Sequence, residues 1–159
     1  MNLNVIGLNH KTAPLELREK FVFQTDLLTE ALIEIKQTFT TEVVILSTCN
    51  RTEIYFTTKE SSQIIRWLAN YHQISLATLK KHLYHFKNLN AVEHAYRVAS
   101  GIDSMILGET QILGQIKQAT KVAEYSGTQG KILSNLFQKT FEAAKKVRSE
   151  TLIGASSTT

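Results

Sequence analysis

The chain of 159 residues contains one cysteine, one proline and no long apolar run. A single cysteine, Cys49, cannot form an internal disulfide, which fits a reducing compartment. No stretch approaches the ~20 apolar residues that span a bilayer, and the start lacks a signal-peptide core. A cytoplasmic protein with no membrane partner is therefore expected. The seven glycines nowhere form Gly-x-Gly-x-x-Gly after a strand, a Gly-Lys-Ser/Thr phosphate loop or a Gly-x-Ser-x-Gly elbow. No nucleotide cofactor is expected to bind this chain. The five histidines, His10, His72, His82, His85 and His94, show no metal-site spacing with an acidic or thiol ligand, so no metal is expected either.

Apolar residues make up 43% and charged residues 20% of the chain, the proportions of an ordinary globular protein with enough length for a real core. The net charge of +4 is unevenly spread. Residues 1–116 balance, whereas 117–150 carry Lys117, Lys121, Lys131, Lys139, Lys145, Lys146 and Arg148 against Glu124, Glu142 and Glu150. Such a basic helical surface either attracts nucleic acid phosphate or is simply a solvated face.

Periodicity divides the chain in two. Leu3–Leu8 reads as a strand, followed by a polar loop, Asn9-His10-Lys11-Thr12-Ala13, closed by Pro14. Thr25 or Asp26 can cap a helix whose Leu28, Ala31, Leu32, Ile35 and Phe39 share a face. Val43–Leu46 and Ile54–Phe56 read as adjacent strands, Ile64, Ile65, Leu68 and Tyr71 mark a second helix, and Leu83–Phe86 a fourth strand. This order predicts an α+β fold: a ferredoxin-like βαββαβ unit with an antiparallel sheet, followed by a helical subdomain. In the second half, Asn90 and Glu93 suggest a reciprocal cap for a helix through Ala99. Gly101 and Gly108 bracket a short element. A helix from Glu109 turns Ile112, Ile116, Ala119 and Ala123 inward, and a last one buries Leu133, Leu136, Phe137, Ala144 and Val147. The small residues of 154–159 form no natural terminal element, which suggests a piece of something longer.

Cys49 sits in Ser47-Thr48-Cys49-Asn50-Arg51-Thr52-Glu53, between two strands. Asn50 tolerates left-handed backbone angles and so suits a tight connection. A guanidinium two residues from a thiol favours the nucleophilic thiolate, which can attack a carbonyl of an acidic substrate. The alternative is a small buried hydrophobe, against which the polar flanks weigh. Gln111, Gln115 and Gln118 form an amide stripe that meets solvent or lines a cleft. His94, beside the small Ala91 and Ala95, can face a pocket as an acid or base.

The motifs Asn9–Pro14, Ser47–Glu53 and Gly101–Gln115, in order and in register, together resemble the glutamyl-tRNA reductase family, and the likeness runs from residue 3 to the end. Thr110 departs from the proline of some members. The resemblance implies an N-terminal catalytic, glutamyl-tRNA-binding domain over 1–159, with 1–88 its ferredoxin-like part, 89–150 its helical part and 151–159 leading to an NADPH-binding domain outside this chain. It implies that Cys49 attacks the aminoacyl ester of glutamyl-tRNA and that NADPH, bound elsewhere, reduces the thioester to glutamate-1-semialdehyde for tetrapyrrole synthesis. By the same carry-over His94 assists acyl transfer and Arg51 pairs with the glutamyl carboxylate. Thr48, Asn50, Ser104, Glu109, Thr110, Gln111 and Gln115 line the substrate pocket. Implied partners are glutamyl-tRNA, a second copy joined through a further domain, and the aminomutase that takes the product. Two other classes compete: a non-catalytic RNA-binding module, for which stacking aromatic motifs are lacking, and a thiol redox sensor.

Overall fold

Arg51-Thr52-Glu53-Ile54-Tyr55-Phe56 forms a strand, β3 (Arg51–Phe56), in which every second side chain shares a face. The computed structural model describes residues 2–104 and 111–151. In it, β3 pairs antiparallel with β2 (Val43–Ser47) on one side and with β1 (Asn4–Asn9) on the other. The last strand, β4 (Tyr84–Lys87), adds antiparallel to the free side of β1, giving the order β2-β3-β1-β4. Helix α2 (Leu28–Phe39) lies between β1 and β2, and α3 (Ser61–Tyr71) between β3 and β4. This is the ferredoxin-like unit that the pattern predicts.

Both faces of the sheet are covered, since all six residues of β1 and of β3 are buried. On one face Thr52 donates its hydroxyl to the carbonyl of Phe21 at 3.0 Å, beside the α1 (Leu15–Lys20) segment. The other face lies under the helical part, formed by α5 (Leu89–Ala99), α6 (Gln111–Tyr125) and α7 (Lys131–Thr151). There Tyr55 meets Phe137 of α7 edge-on, with ring centroids 5.0 Å apart. The apolar stripes fall as expected: α6 buries Ile112, Ile116, Ala119 and Ala123, and α7 buries Leu133, Leu136, Phe137 and Ala144. Val147 is only half-buried. Glu42 fixes the start of α7 by accepting from the backbone N–H groups of Ile132 and Leu133 at 3.2 and 2.8 Å, the favourable place for a carboxylate on a helix.

Several local expectations are corrected. A 3-10 turn, Thr25–Leu27, precedes α2, and neither Thr25 nor Asp26 caps it through a side chain. Helix α5 begins at Leu89 rather than behind an Asn90–Glu93 cap. Asn88 stands before it with φ 52, its side-chain oxygen accepting from the N–H of Leu3 at 3.2 Å. A tertiary contact with Leu3, just ahead of β1, thus replaces a local capping box. An extra helix, α4 (Leu76–His82), precedes β4, capped by Ser75, whose hydroxyl accepts from Thr78 N at 3.1 Å. The bracketed element before α6 is described only as far as Ser104; its remainder and the expected helix start at Glu109 lie outside the described residues. Among the described residues no helix is long and apolar enough to cross a membrane.

Gly7 holds the centre of the sheet open. It lies opposite Glu53 on β3 and Tyr84 on β4. A Cβ there would sit 2.6 Å from the carbonyl of Thr52 and 2.9 Å from both Glu53 Cγ and the Tyr84 hydroxyl. The Thr52 contact is backbone and cannot swing away. Gly7→Ala is therefore expected to lower stability by about 1–3 kcal/mol, the usual cost of overpacking. Urea unfolding would check this, and an unchanged midpoint would contradict it.

Candidate active site

Strand alternation puts Arg51, Glu53 and Tyr55 on the face beneath the helical part, an unusual set to bury. Arg51 is 2% exposed and Glu53 fully buried. Ionised, a carboxylate only accepts hydrogen bonds and has about four lone-pair sites; Glu53 meets four donors, three at one oxygen and one at the other. Its Oε2 accepts from Arg51 Nη1 at 3.1 Å, from the Tyr84 hydroxyl at 2.5 Å and from His94 Nε2 at 2.5 Å. Its Oε1 accepts from the Tyr55 hydroxyl at 2.8 Å. Burial alone would raise the Glu53 pKa, but His94, Arg51 and Tyr84 outweigh it and hold the group down at about 2. Burial and the adjacent Glu53 charge push both tyrosines well above their ordinary value, so they remain donors.

The other side of the Arg51 fork faces the turn after α5. Gly101, with φ 79, takes the left-handed conformation that ends the helix, and Ile102 N bonds back to Arg97 O at 3.1 Å. That reversal brings Asp103 to Arg51. Nη2 donates to the Asp103 carbonyl at 2.7 Å and to its carboxylate at 3.1 Å. Lys11, from the loop after β1, pairs with the second carboxylate oxygen at 3.0 Å. Burial opposes ionisation of Asp103, and its bonds from Lys11 and Arg51 reverse that and keep its pKa below the ordinary value. Burial works against the Arg51 charge too, and Glu53, Tyr84 and Asp103 more than restore it. Arg51 is thus a fixed cation between two carboxylates, not a lone charge beside the thiol.

Cys49 is exposed at the tip of the β2–β3 connection. Thr48 shapes that tip: its N–H donates to Arg51 O at 2.8 Å, and its hydroxyl accepts from the N–H of Asn50 at 3.1 Å and of Arg51 at 3.2 Å. This hydroxyl, rather than a left-handed Asn50, closes the turn. Among the described residues only Thr40, Gln73 and Asn88 have positive φ outside glycine. The connection borders a small pocket of about 50 Å³ lined by His10, Thr48, Cys49, Asn50, Arg51, Ser104, Gln111, Ile112 and Gln115.

The structure therefore gathers Thr48, Cys49, Asn50, Arg51, Ser104, Gln111 and Gln115 around one pocket, from two separate regions of the chain. Gln118, the third member of the amide stripe, is exposed and does not line it. Glu109 and Thr110 lie outside the described residues. His94 does not line the thiol pocket. It borders a larger hollow of about 520 Å³, together with Asn9, Lys11, Tyr84, Phe86, Arg97 and Asp103. Sequence reasoning did not single out His10, Glu53, Tyr84 or Asp103. The alternation of β3 was the available signal for Glu53. His10 and Asp103 were inside quoted motifs, but only strand register and the Gly101 reversal give them neighbours. No group of three or more His, Cys, Asp or Glu among the described residues is placed to hold a metal ion.

The chain is thus an α+β domain that sets an exposed thiol at a strand tip, backed by a buried Arg-carboxylate network on a ferredoxin-like sheet. Residues 6–151 match the family described as glutamyl-tRNAGlu reductase, N-terminal domain, and the chain belongs to that family. It is 50% identical over 156 residues to the glutamyl-tRNA reductase of Aromatoleum aromaticum, covering 98% of this chain and 37% of that protein. With the glutamyl-tRNA reductase of Neisseria meningitidis it shares 51% identity over 158 residues, 99% of this chain and 38% of the relative. The solved structure of glutamyl-tRNA reductase from Methanopyrus kandleri superposes with a TM-score of 0.78 at 31% identity, over 93% of this chain and 34% of that one. The chain thus spans under two fifths of the length of these relatives.

Removing Glu53 tests the network. Glu53→Gln leaves Arg51 buried without its fullest partner and should destabilise the fold by about 3–5 kcal/mol, as breaking a buried ion pair does. The acid response follows from its low pKa. A group with a depressed folded-state pKa adds stability above its unfolded value, and that stability is lost as pH falls through the folded value. Wild-type stability should therefore decline from about pH 4.5 toward about pH 2, and this part of the decline should vanish in Glu53→Gln. Denaturant titrations at several pH values would show it; parallel profiles would refute the assignment.

Proposed function

We propose that this chain is the acyl-accepting domain of a glutamyl-tRNA reductase. The observation that carries this is an exposed, unpaired Cys49 sharing a pocket with Arg51, Ser104, Gln111 and Gln115, on a chain that belongs to the family. In this reading the Cys49 thiolate attacks the ester carbonyl of glutamyl-tRNA. A carbon–sulfur bond forms, the ester carbon–oxygen bond breaks, and tRNA leaves with its ribose hydroxyl restored. Arg51 draws the glutamyl side-chain carboxylate to the pocket wall, where a guanidinium gives charge-assisted bonds that a glutamine amide cannot match. The fork is prefixed by Glu53 and Asp103, so little rotamer freedom is lost on binding. Thr48 and Asn50 shape the loop that presents the thiol. Ser104, Gln111 and Gln115, with Glu109 and Thr110, supply polar contacts to the glutamyl group. His94 is joined to Arg51 through Glu53 and supports acyl transfer by holding that cation in place.

The NADPH that the family implies would supply the hydride that turns the thioester into glutamate-1-semialdehyde. The described residues do not fit it: every strand pairing is antiparallel, and no glycine-rich turn leads from a strand into a helix to cradle its phosphates. This chain's own chemistry then ends at the thioester, which water slowly hydrolyses. Exposed Lys117, Lys121, Lys131, Lys139, Lys145 and Lys146 on α6 and α7 offer phosphate contacts to the tRNA. The setting is the cytoplasm, and dimerisation and hand-over of the product to the aminomutase involve the longer protein.

Incubation of the chain with glutamyl-tRNA should add one glutamyl mass to Cys49, and Cys49→Ser should remove that adduct without disturbing the fold, because the side chain is exposed. Intact-mass measurement decides it; uptake of only an oxygen or a disulfide partner would favour a redox sensor instead. Charge reversal at Lys139 and Lys145 should weaken tRNA binding and flatten its salt dependence, as loss of phosphate contacts requires. A salt titration with unchanged slope would move the tRNA elsewhere.

A further inference from the structure

The acyl-transfer reading leaves one histidine of the thiol pocket without a task. Antiparallel pairing of β1 with β3 ends at Asn9 opposite Arg51. Continuing that ladder by one residue brings His10 alongside the Cys49–Asn50 end of the β2–β3 connection. The backbone there is tightly held. Asn9 Oδ1 accepts from the N–H groups of Lys11 and Thr12 at 2.9 and 3.3 Å, and Asn9 N donates to the Thr12 hydroxyl at 3.0 Å. The ring itself is not held in this way: His10 Nδ1 is buried and has no hydrogen-bond partner among the described residues. A buried histidine kept for structure ordinarily satisfies such a nitrogen. Here the His10 side chain borders the same pocket as Cys49, Arg51 and Ser104. His94, by contrast, has its Nε2 engaged by Glu53 and borders the neighbouring hollow.

We propose that His10 is the acid–base group for acyl transfer at Cys49, an inference that rests on the acyl-transfer reading above. An imidazole nitrogen takes the proton from Sγ as sulfur bonds to the ester carbonyl carbon. The imidazolium then returns that proton to the ribose oxygen as the carbon–oxygen bond breaks. The thioester is formed, tRNA leaves as a neutral hydroxyl, and no proton is gained or lost overall. The resting protonation state suits this. Burial first, then the Arg51 charge, with Lys11 and Arg18 adding to it and Asp103 opposing, lower the His10 pKa from its ordinary value. At neutral pH the ring is the base. Among the described residues, those four charged side chains act on the ring and the Cys49 thiol borders the same pocket; α6 lines it with the neutral Gln111, Ile112 and Gln115.

The test is the rate of glutamyl loading on Cys49, read by intact mass, in the wild-type chain and in His10→Gln and His10→Asn across a pH range centred on about 6.5, the ordinary histidine value. Positioned acid–base groups contribute roughly 10²–10⁴-fold. Both variants should load at least about 10²-fold more slowly at neutral pH and regain part of the rate with added imidazole. They should also lose the acid limb, whose midpoint in the wild type lies below the ordinary histidine value. Unchanged loading, or equal slowing at every pH without an imidazole response, overturns the proposal and leaves His10 a structural residue. If the wild-type chain takes up no glutamyl group, the acyl-transfer reading is what fails. His10 is then decided without tRNA, by the pH dependence of iodoacetamide alkylation, which reports one site because Cys49 is the chain's single cysteine. A step lost in both variants retains the thiol–imidazole pairing, and superimposable profiles refute it.

Discussion

The Glu53 carboxylate, taken wholly out of water in the centre of the sheet, is the group around which the functional half of this structure is organised. An unpaired carboxylate in that position would cost several kcal/mol or surrender its charge by protonation. It does neither, because four donors from two strands and one helix converge on it. Each donor is thereby fixed in turn: Tyr55 under α7, Tyr84 on the edge strand, His94 on α5, and the Arg51 fork at the thiol pocket. The bare backbone of Gly7 is what leaves room for Tyr84 and Glu53 to meet. A mobile surface arginine could not serve as a wall of a pocket, whereas one locked by Glu53 and Asp103 can.

The same network couples two hollows that share a wall. Arg51 borders the thiol pocket and Asp103 the larger one, and the two side chains are bonded to each other. Lys11 anchors Asp103 from the β1 loop, whose next residue back is His10. Contacts made in one hollow therefore act on groups that face the other through one or two hydrogen bonds. A site assembled in this way is preorganised, with its charges balanced before substrate arrives.

Much of the architecture was legible without coordinates. Strand alternation and helical spacing placed all four strands, α2, α3 and the inward stripes of α6 and α7. The misreadings were local ones that tertiary contacts override. Asn90 and Glu93 have the spacing of a capping box, but Asn88 is claimed by Leu3 across the sheet, so the helix starts earlier. Asn50 has the residue type of a left-handed turn, but the Thr48 hydroxyl already satisfies the connection. Helix α4 was not anticipated; its seven residues are too short for a periodic signal.

By itself the sequence determined which residues alternate onto one face, that a lone cysteine stands at a strand tip, and, through three motifs in register, the family. Those are properties of neighbours along the chain and of residue type, and periodicity transmits them directly. Only the tertiary structure decided that Arg51 is held between Glu53 and Asp103, that His94 stands behind it at a second hollow, and that His10 shares the pocket of the thiol. Pairs separated by 41 and 52 residues, His94 with Glu53 and Asp103 with Arg51, leave no periodic trace. Their meeting depends on strand register and on the reversal at Gly101, which fix distances that the linear order of residues does not contain.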